Sequence, residues 1–269
     1  MGKFIFSLMI FVTVAPSVSS QKIDSLSISQ KFVMDVEYSY RTGIDFYSHS
    51  FESAVEKLPT TFFIGAATYL TMNYDDKISS SLAAGKRSGI WYAANKYGNF
   101  KYIFPASVGI YFGGLLSGND ELRTIGRLLS ESLIYSGAAV GVIKVISGRH
   151  RPYVGNGNLF FTPFNIANDF NSFPSGHSST AFSVSTVLSE YFDNNYLRIV
   201  LYGFASLTAY ERIRSNEHWM SDVLIGSAFG FAAGYYSVNS EKKSLTGANA
   251  VSQVRILPSL DGLIIVYRL

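Results

Sequence analysis

Ser172-Phe173-Pro174-Ser175-Gly176-His177 is a tight polar turn that leads into an apolar run, Ala181 to Leu188. Pro174 fixes one backbone angle, and Gly176 lets a backbone N–H approach a ligand with no side chain in the way. Ser175 is a natural cap for the helix that the apolar run predicts. The start of a helix offers unsatisfied N–H groups and a partial positive charge, so the turn is suited to hold an anion. His177 then stands beside that anion with a titratable proton. Taken alone, Pro-Ser-Gly-His reads equally well as a capped turn carrying a surface histidine.

Two other stretches add to it. Lys144 is followed after six residues by Arg151-Pro152, and Arg212 is followed after five residues by His218 and after three more by Asp222. The ordered set Lys-x6-Arg-Pro, Pro-Ser-Gly-His, Arg-x5-His-x3-Asp resembles the three-part signature of the type 2 phosphatidic acid phosphatase and vanadium haloperoxidase superfamily. The signature runs from Lys144 to Asp222, and the neighbouring helical segments extend the resemblance to roughly residues 100 to 238. One position departs from the pattern. Glu211 precedes Arg212 where the family often has a small residue, which puts a carboxylate near the expected phosphate site.

A phosphate ester needs cations around its oxygens, an in-line nucleophile and an acid behind the leaving group. Lys144, Arg151 and Arg212 supply the cations, and the Gly176 N–H and Ser175 add neutral donors. The resemblance implies that His218 is the nucleophile and forms a phosphohistidine. It implies that Asp222 orients the other ring nitrogen, and that His177 protonates the leaving alcohol and then activates water. Neither a metal nor another cofactor is expected, because the positive side chains take that part. His150 has no such partners and is expected to cap a loop.

The 269 residues suffice for one domain with a sizeable core. Hydrophobic residues make up 48% and mean hydropathy is +0.18, between a soluble enzyme and a multi-span membrane protein. The chain has no cysteine, which excludes a disulfide framework and a thiolate metal site. A formal charge of +3 is too small for a nucleic-acid footprint.

Residues 1–20 read as a secretory signal: Lys3, an apolar run from Phe4 to Ala15, then Val18-Ser19-Ser20 before the expected cleavage. Residues 21–100 read as an N-terminal helical region, 101–238 as a phosphatase core and 239–269 as a tail. Within them, residues 28–58 are helical and end at Pro59, and 60–72 form a short buried helix. Asn119-Asp120-Glu121 starts a helix that Gly148 stops. Residues 148–173 form a long loop, with Phe160, Phe161, Phe164, Phe170 and Phe173 crowding its course toward the site. His218 and Asp222, four apart, are expected on one helical face, and Gly226, Gly230 and Gly234 repeat at a spacing that allows close helix packing. Residues 254–269 read as short extended segments.

The expected fold is therefore all-α: a helical bundle of about six core helices with the site at neighbouring helix ends. The expected function is hydrolysis of a lipid phosphate or diphosphate. The alternatives are a soluble broad-specificity acid phosphatase acting on small phosphomonoesters and, as a minor option for so short a chain, a vanadate-dependent haloperoxidase. An outward-facing site would put the five basic residues of 73–101 outside as well, against the positive-inside tendency. The expected location is therefore periplasmic and attached to a membrane surface, with an integral membrane protein as the alternative.

Overall fold

The structure is a computed structural model, and it describes residues 26–56, 58–84, 89–246, 255–259 and 262–266. The expected export signal lies outside the described residues. Among the described residues eight α-helices follow one another: α1 (Ile28–Glu56), α2 (Leu58–Leu82), α3 (Ile90–Tyr97), α4 (Phe100–Ser117), α5 (Asp120–Ser147), α6 (Gly176–Phe192), α7 (Asn195–Arg214) and α8 (Met220–Thr246). Strands β1 (Arg255–Ser259) and β2 (Gly262–Val266) pair as an antiparallel hairpin with Arg255 opposite Val266.

Helix ends fall where side chains satisfy them. Asn119 Oδ1 accepts the Leu122 N–H at 3.0 Å to open α5, whose first turn carries Asp120 and Glu121. Gly148 closes α5 in the left-handed region at φ 56°, as a C-terminal glycine should. Asn194 caps α7 through the N–H groups of Tyr196 and Leu197. Pro59 does not end a helix. It sits at the second position of α2, where a missing N–H costs nothing, so the apolar 60–72 segment is part of a longer helix that continues to Leu82.

α5 lies against α4, α6 and α8, and α6 lies between α7 and α8. Ile125, Leu128, Leu129 and Leu133 of α5 meet Val184 and Val187 of α6 and Val238 of α8 in the main apolar core. α6 and α8 approach closely because of the glycine row. A Cβ on Gly226 would stand 2.3 Å from the Ser175 carbonyl oxygen, and one on Gly230 would stand 2.1 Å from that of Ser179. This contact brings the first turn of α8, with Asp222, against the first turn of α6.

A buried charge cluster closes the other end of the bundle. Arg127 reaches Glu131 and Glu241, each at 2.7 Å, and Arg123 lies 3.5 Å from Asp35. Together these tie α1, α5 and α8. Arg127 is 17 residues before Lys144, so this cluster is about 25 Å from the site by helix rise. Many large apolar side chains remain exposed along the outer helices, among them Ile110, Phe112 and Leu116 on α4 and Ile199, Val200 and Phe204 on α7. Among the described residues one helix, α5, is long and apolar enough to cross a membrane.

Candidate active site

The three signature stretches meet at the ends of α5, α6, α7 and α8. Lys144 lies in the last turn of α5. Ser175 caps α6, its hydroxyl accepting the Ser178 N–H, and Gly176 and His177 open that helix after a cis Phe173–Pro174 peptide. Arg212 lies in the last turn of α7, and Asp222 in the first turn of α8. The Ser175 N–H donates to the Asp222 carbonyl oxygen at 2.9 Å, which joins the second stretch to the third.

The cations converge. Lys144 Nζ donates to the Asn171 carbonyl and to that of Ser172 at 3.4 Å, which aims it under the turn. Arg151 is held by Asn168, through Nε to the backbone oxygen at 2.8 Å and Nη2 to Oδ1 at 3.1 Å. Its Nη1 lies 3.5 Å from His218 Nε2. Arg212, buried, lies 3.3 Å from both Glu211 Oε2 and Glu217 Oε2. Glu211 is itself fully buried, and Asn95 of α3 donates to the same oxygen at 3.4 Å. The departure from the family pattern is thus an internal partner for Arg212.

His218 is not on a helix with Asp222. α8 begins at Met220, and His218 precedes it in the bend after α7. The Asp222 carboxylate turns back to accept the Trp219 N–H at 2.9 Å, as a capping acid does, and this carries it toward the ring from below. His218 Nδ1 is 3.5 Å from Asp222 Oδ2 and has no hydrogen-bond partner among the described residues. The two ring nitrogens therefore face opposite surroundings: Nε2 the Arg151 guanidinium, Nδ1 a carboxylate. Burial, reinforced by Lys144, Arg151, Arg212 and His177, holds the His218 pKa well below that of a free imidazole. A neutral imidazole with Nε2 open toward an anion site is a competent nucleophile.

Asp222 has further partners that the signature does not reveal. Ser172 Oγ donates to its Oδ2 at 2.5 Å, and Arg149 Nη1 donates to its Oδ1 at 2.6 Å. Asp75 of α2 takes the other branch of Arg149 at 2.8 Å. Asp75 had no signal in the sequence, since nothing near it in the chain shares a motif. Arg149 is two residues before Arg151 and would have needed knowledge of its burial. His150 is buried as a loop anchor, with Nε2 2.8 Å from Thr162 Oγ1 and its ring between Phe160 and Phe170. No group of His, Asp or Glu side chains among the described residues has the arrangement of a metal site.

Residues 126–245 match the PAP2 superfamily. The chain is similar to a lipid A 1-phosphatase of Porphyromonas gingivalis, at 30% identity over 63% of this chain and 35% of the relative. It is also similar to a lipid A 1-phosphatase of Rhizobium etli, at 33% identity over 53% of this chain and 65% of the relative. In both cases the match spans less than two thirds of the relative's length. The crystal structure of a transmembrane PAP2-type phosphatidylglycerolphosphate phosphatase from Bacillus subtilis superposes with a TM-score of 0.54 at 22% identity, covering 71% of this chain and 96% of that one. This similarity shows that the helical fold is shared.

Proposed function

We propose that the chain, whose residues 126–245 match the PAP2 superfamily, belongs to that superfamily and is a metal-independent phosphatase acting on a phosphorylated lipid through a phosphohistidine at His218. The observation that carries the reading is the polarity of the His218 ring: Nε2 beside Arg151 at 3.5 Å, Nδ1 toward Asp222 at 3.5 Å. A phosphoryl group bound among Lys144, Arg151 and Arg212 lies against Nε2. As Nε2 attacks phosphorus, the phosphorus–alkoxide bond breaks and the ring becomes cationic. The Asp222 carboxylate stabilises that charge and, once the ring tightens toward it, accepts the Nδ1–H.

His177, at the start of α6, donates a proton to the departing alkoxide. It then takes a proton from water, which attacks the phosphorus and releases inorganic phosphate with His218 restored. General acid–base work of this kind contributes roughly 10² to 10⁴ in rate. Ser175 and the Gly176 N–H add dipoles at the start of α6, where an anion is favoured.

The lipid assignment rests on the relatives' names and on the loop that holds Arg151. Leu159, Phe160, Phe161, Phe164 and Ile166 are exposed on it, and Ile166 lies two residues before Asn168, the anchor of Arg151. Such a lip suits an acyl chain beside a phosphate. The proposed setting is the outer, periplasmic side of a membrane, with residues 1–20 as export signal and the exposed apolar faces of α4 and α7 against lipid. Purified chain in EDTA, offered a lipid A 1-phosphate and a small aryl phosphate, tests the reading. Preference for the lipid is expected. Equal efficiency on both would favour a broad-specificity acid phosphatase, and halide oxidation with vanadate and peroxide in place of hydrolysis would overturn the reaction class.

A further inference from the structure

Arg149, Asp75 and Asp222 are all fully buried, one guanidinium set between two carboxyl groups. Arg149 divides its guanidinium between them, Nη1 to Asp222 at 2.6 Å and Nη2 to Asp75 at 2.8 Å. Asp75 also accepts the Ser221 N–H at 3.0 Å and the Ser221 hydroxyl at 2.5 Å. It thereby grips the first turn of α8 at the residue next to Asp222. Ser221 Oγ in turn accepts from Arg149 Nη1 at 2.7 Å, so the four side chains close into one network.

A carboxylate that faces a buried guanidinium alone is neutralised by it. The network has to keep negative charge facing His218, because the ring it supports becomes cationic when the phosphoryl group transfers. A second carboxylate on the far branch of Arg149 supplies that balance. Asp75 comes from α2, 51 residues before the start of the family match at 126. The N-terminal region therefore reaches into the catalytic end of the bundle as well as packing beside it.

We propose that Asp75 is a positioning residue for the phosphatase reaction, acting through Arg149 and Ser221 to hold Asp222 aimed at His218 and to leave the network with negative charge toward the ring. This rests on the phosphatase reading above. It predicts a particular split in the kinetics: the chemical step suffers when Asp75 is neutralised, while substrate binding, which uses the cations on the other side of His218, does not.

The test uses the full chain as wild type, Asp75→Asn, Ser221→Ala and Asp35→Asn. Asp35 is another buried carboxylate, in the distant cluster, and serves as the control for stability alone. Asp75→Asn is expected to lower kcat per folded molecule by 10- to 100-fold, with KM within about threefold. Asp35→Asn is expected to lower the melting temperature with kcat within about twofold. If Asp75→Asn only melts earlier, with kcat retained, the proposal is overturned. If Asp75→Asn does not fold, Ser221→Ala decides: a three- to tenfold fall in kcat at constant KM supports the proposal, and unchanged kcat overturns it.

If the wild type hydrolyses no phosphate ester, the phosphatase reading fails separately, and nitrogen-15 NMR of the chain's four histidines still decides. A ring shift at His218 alone in Asp75→Asn or Ser221→Ala supports the coupling, and an unshifted His218 rules it out.

Discussion

Glu217 Oε2 lies 2.8 Å from Arg151 Nη1 and spans to Arg212 Nη2 at 3.3 Å, so one carboxylate bridges two of the guanidinium groups proposed to hold phosphate. Its side chain is 27% exposed, so the carboxylate borders solvent. A phosphoryl group taking the same donors has to displace it. Glu217→Gln removes the competing charge. The expected result is a fall of about three- to tenfold in the inhibition constant of inorganic phosphate, the range for losing one partly screened charge contact. Product-inhibition kinetics measure it, and a rise in that constant would show instead that Glu217 serves to position the two arginines.

The pH profile should carry the mark of Lys144. Burial, helped by the charges of Arg151 and Arg212 and opposed by Asp222, pulls its ammonium down to about 7. Above that pH the chain loses one of the three cations proposed to hold phosphate. The expected kcat/KM therefore declines on the alkaline side from about 7, and Lys144→Arg, which cannot deprotonate, should remove that limb. A profile unchanged by Lys144→Arg would assign the limb elsewhere.

His218 gives a stability signature with a definite sign. Its folded pKa lies well below the ordinary histidine value, first through burial and then through the surrounding cations. The unfolded chain takes up a proton at about 6.5 that the folded chain refuses. Stability from this group is thus present above about 6.5 and lost as pH falls toward the folded pKa. Thermal melts from about pH 8 to about pH 5 should show a steeper acid decline for wild type than for His218→Gln.

The meeting of the three signature stretches was legible because each occupies a short run of sequence. Lys144 and Arg151, Ser175 to His177, and Arg212 to Asp222 each lie on one helix end and its loop, so spacing in sequence maps onto spacing in space. The boundaries of α5 were legible for a related reason, since Asn119 and Gly148 cap it with local contacts. What depends on distant packing was not legible. Asp75 meets Arg149 and Ser221 only because α2 folds back on α8. The relation of His218 to Asp222 was misread as two residues on one helix. The helix begins after His218, and the capping turn makes the approach instead. Pro59 was misread as a stop because a proline that starts a helix and one that follows a helix look alike in sequence.

Packing between α6 and α8 leaves no room for a methyl group at Gly230, whose added Cβ would meet the Ser179 carbonyl oxygen at 2.1 Å. Gly230→Ala is expected to cost about 1–3 kcal/mol, read as a fall of several degrees in melting temperature. Arg127→Met is expected to cost more, about 3–5 kcal/mol, because Glu131 and Glu241 lose their buried partner. A Gly230→Ala chain as stable as wild type would contradict the close helix contact.

The lip of the long loop predicts where substrate selectivity resides. Phe164 is 74% and Ile166 78% exposed, so replacing both with serine removes little packing. The Phe164→Ser, Ile166→Ser double variant should raise KM for a long-chain lipid phosphate by about tenfold and leave an aryl phosphate within about twofold, consistent with losing roughly 1.4 kcal/mol of apolar contact. Equal changes on both substrates would mean that the loop only supports Arg151.

The central claim is that His218 carries the phosphoryl group and His177 works on either side of that step. His218→Ala should abolish turnover. With an aryl phosphate, whose leaving group needs little protonation, His177→Ala should still form the intermediate but lack the base that activates water. Rapid quench of His177→Ala should therefore trap acid-labile, base-stable phosphate on His218. Phosphate found on a serine, or full activity in His218→Ala, would contradict the account.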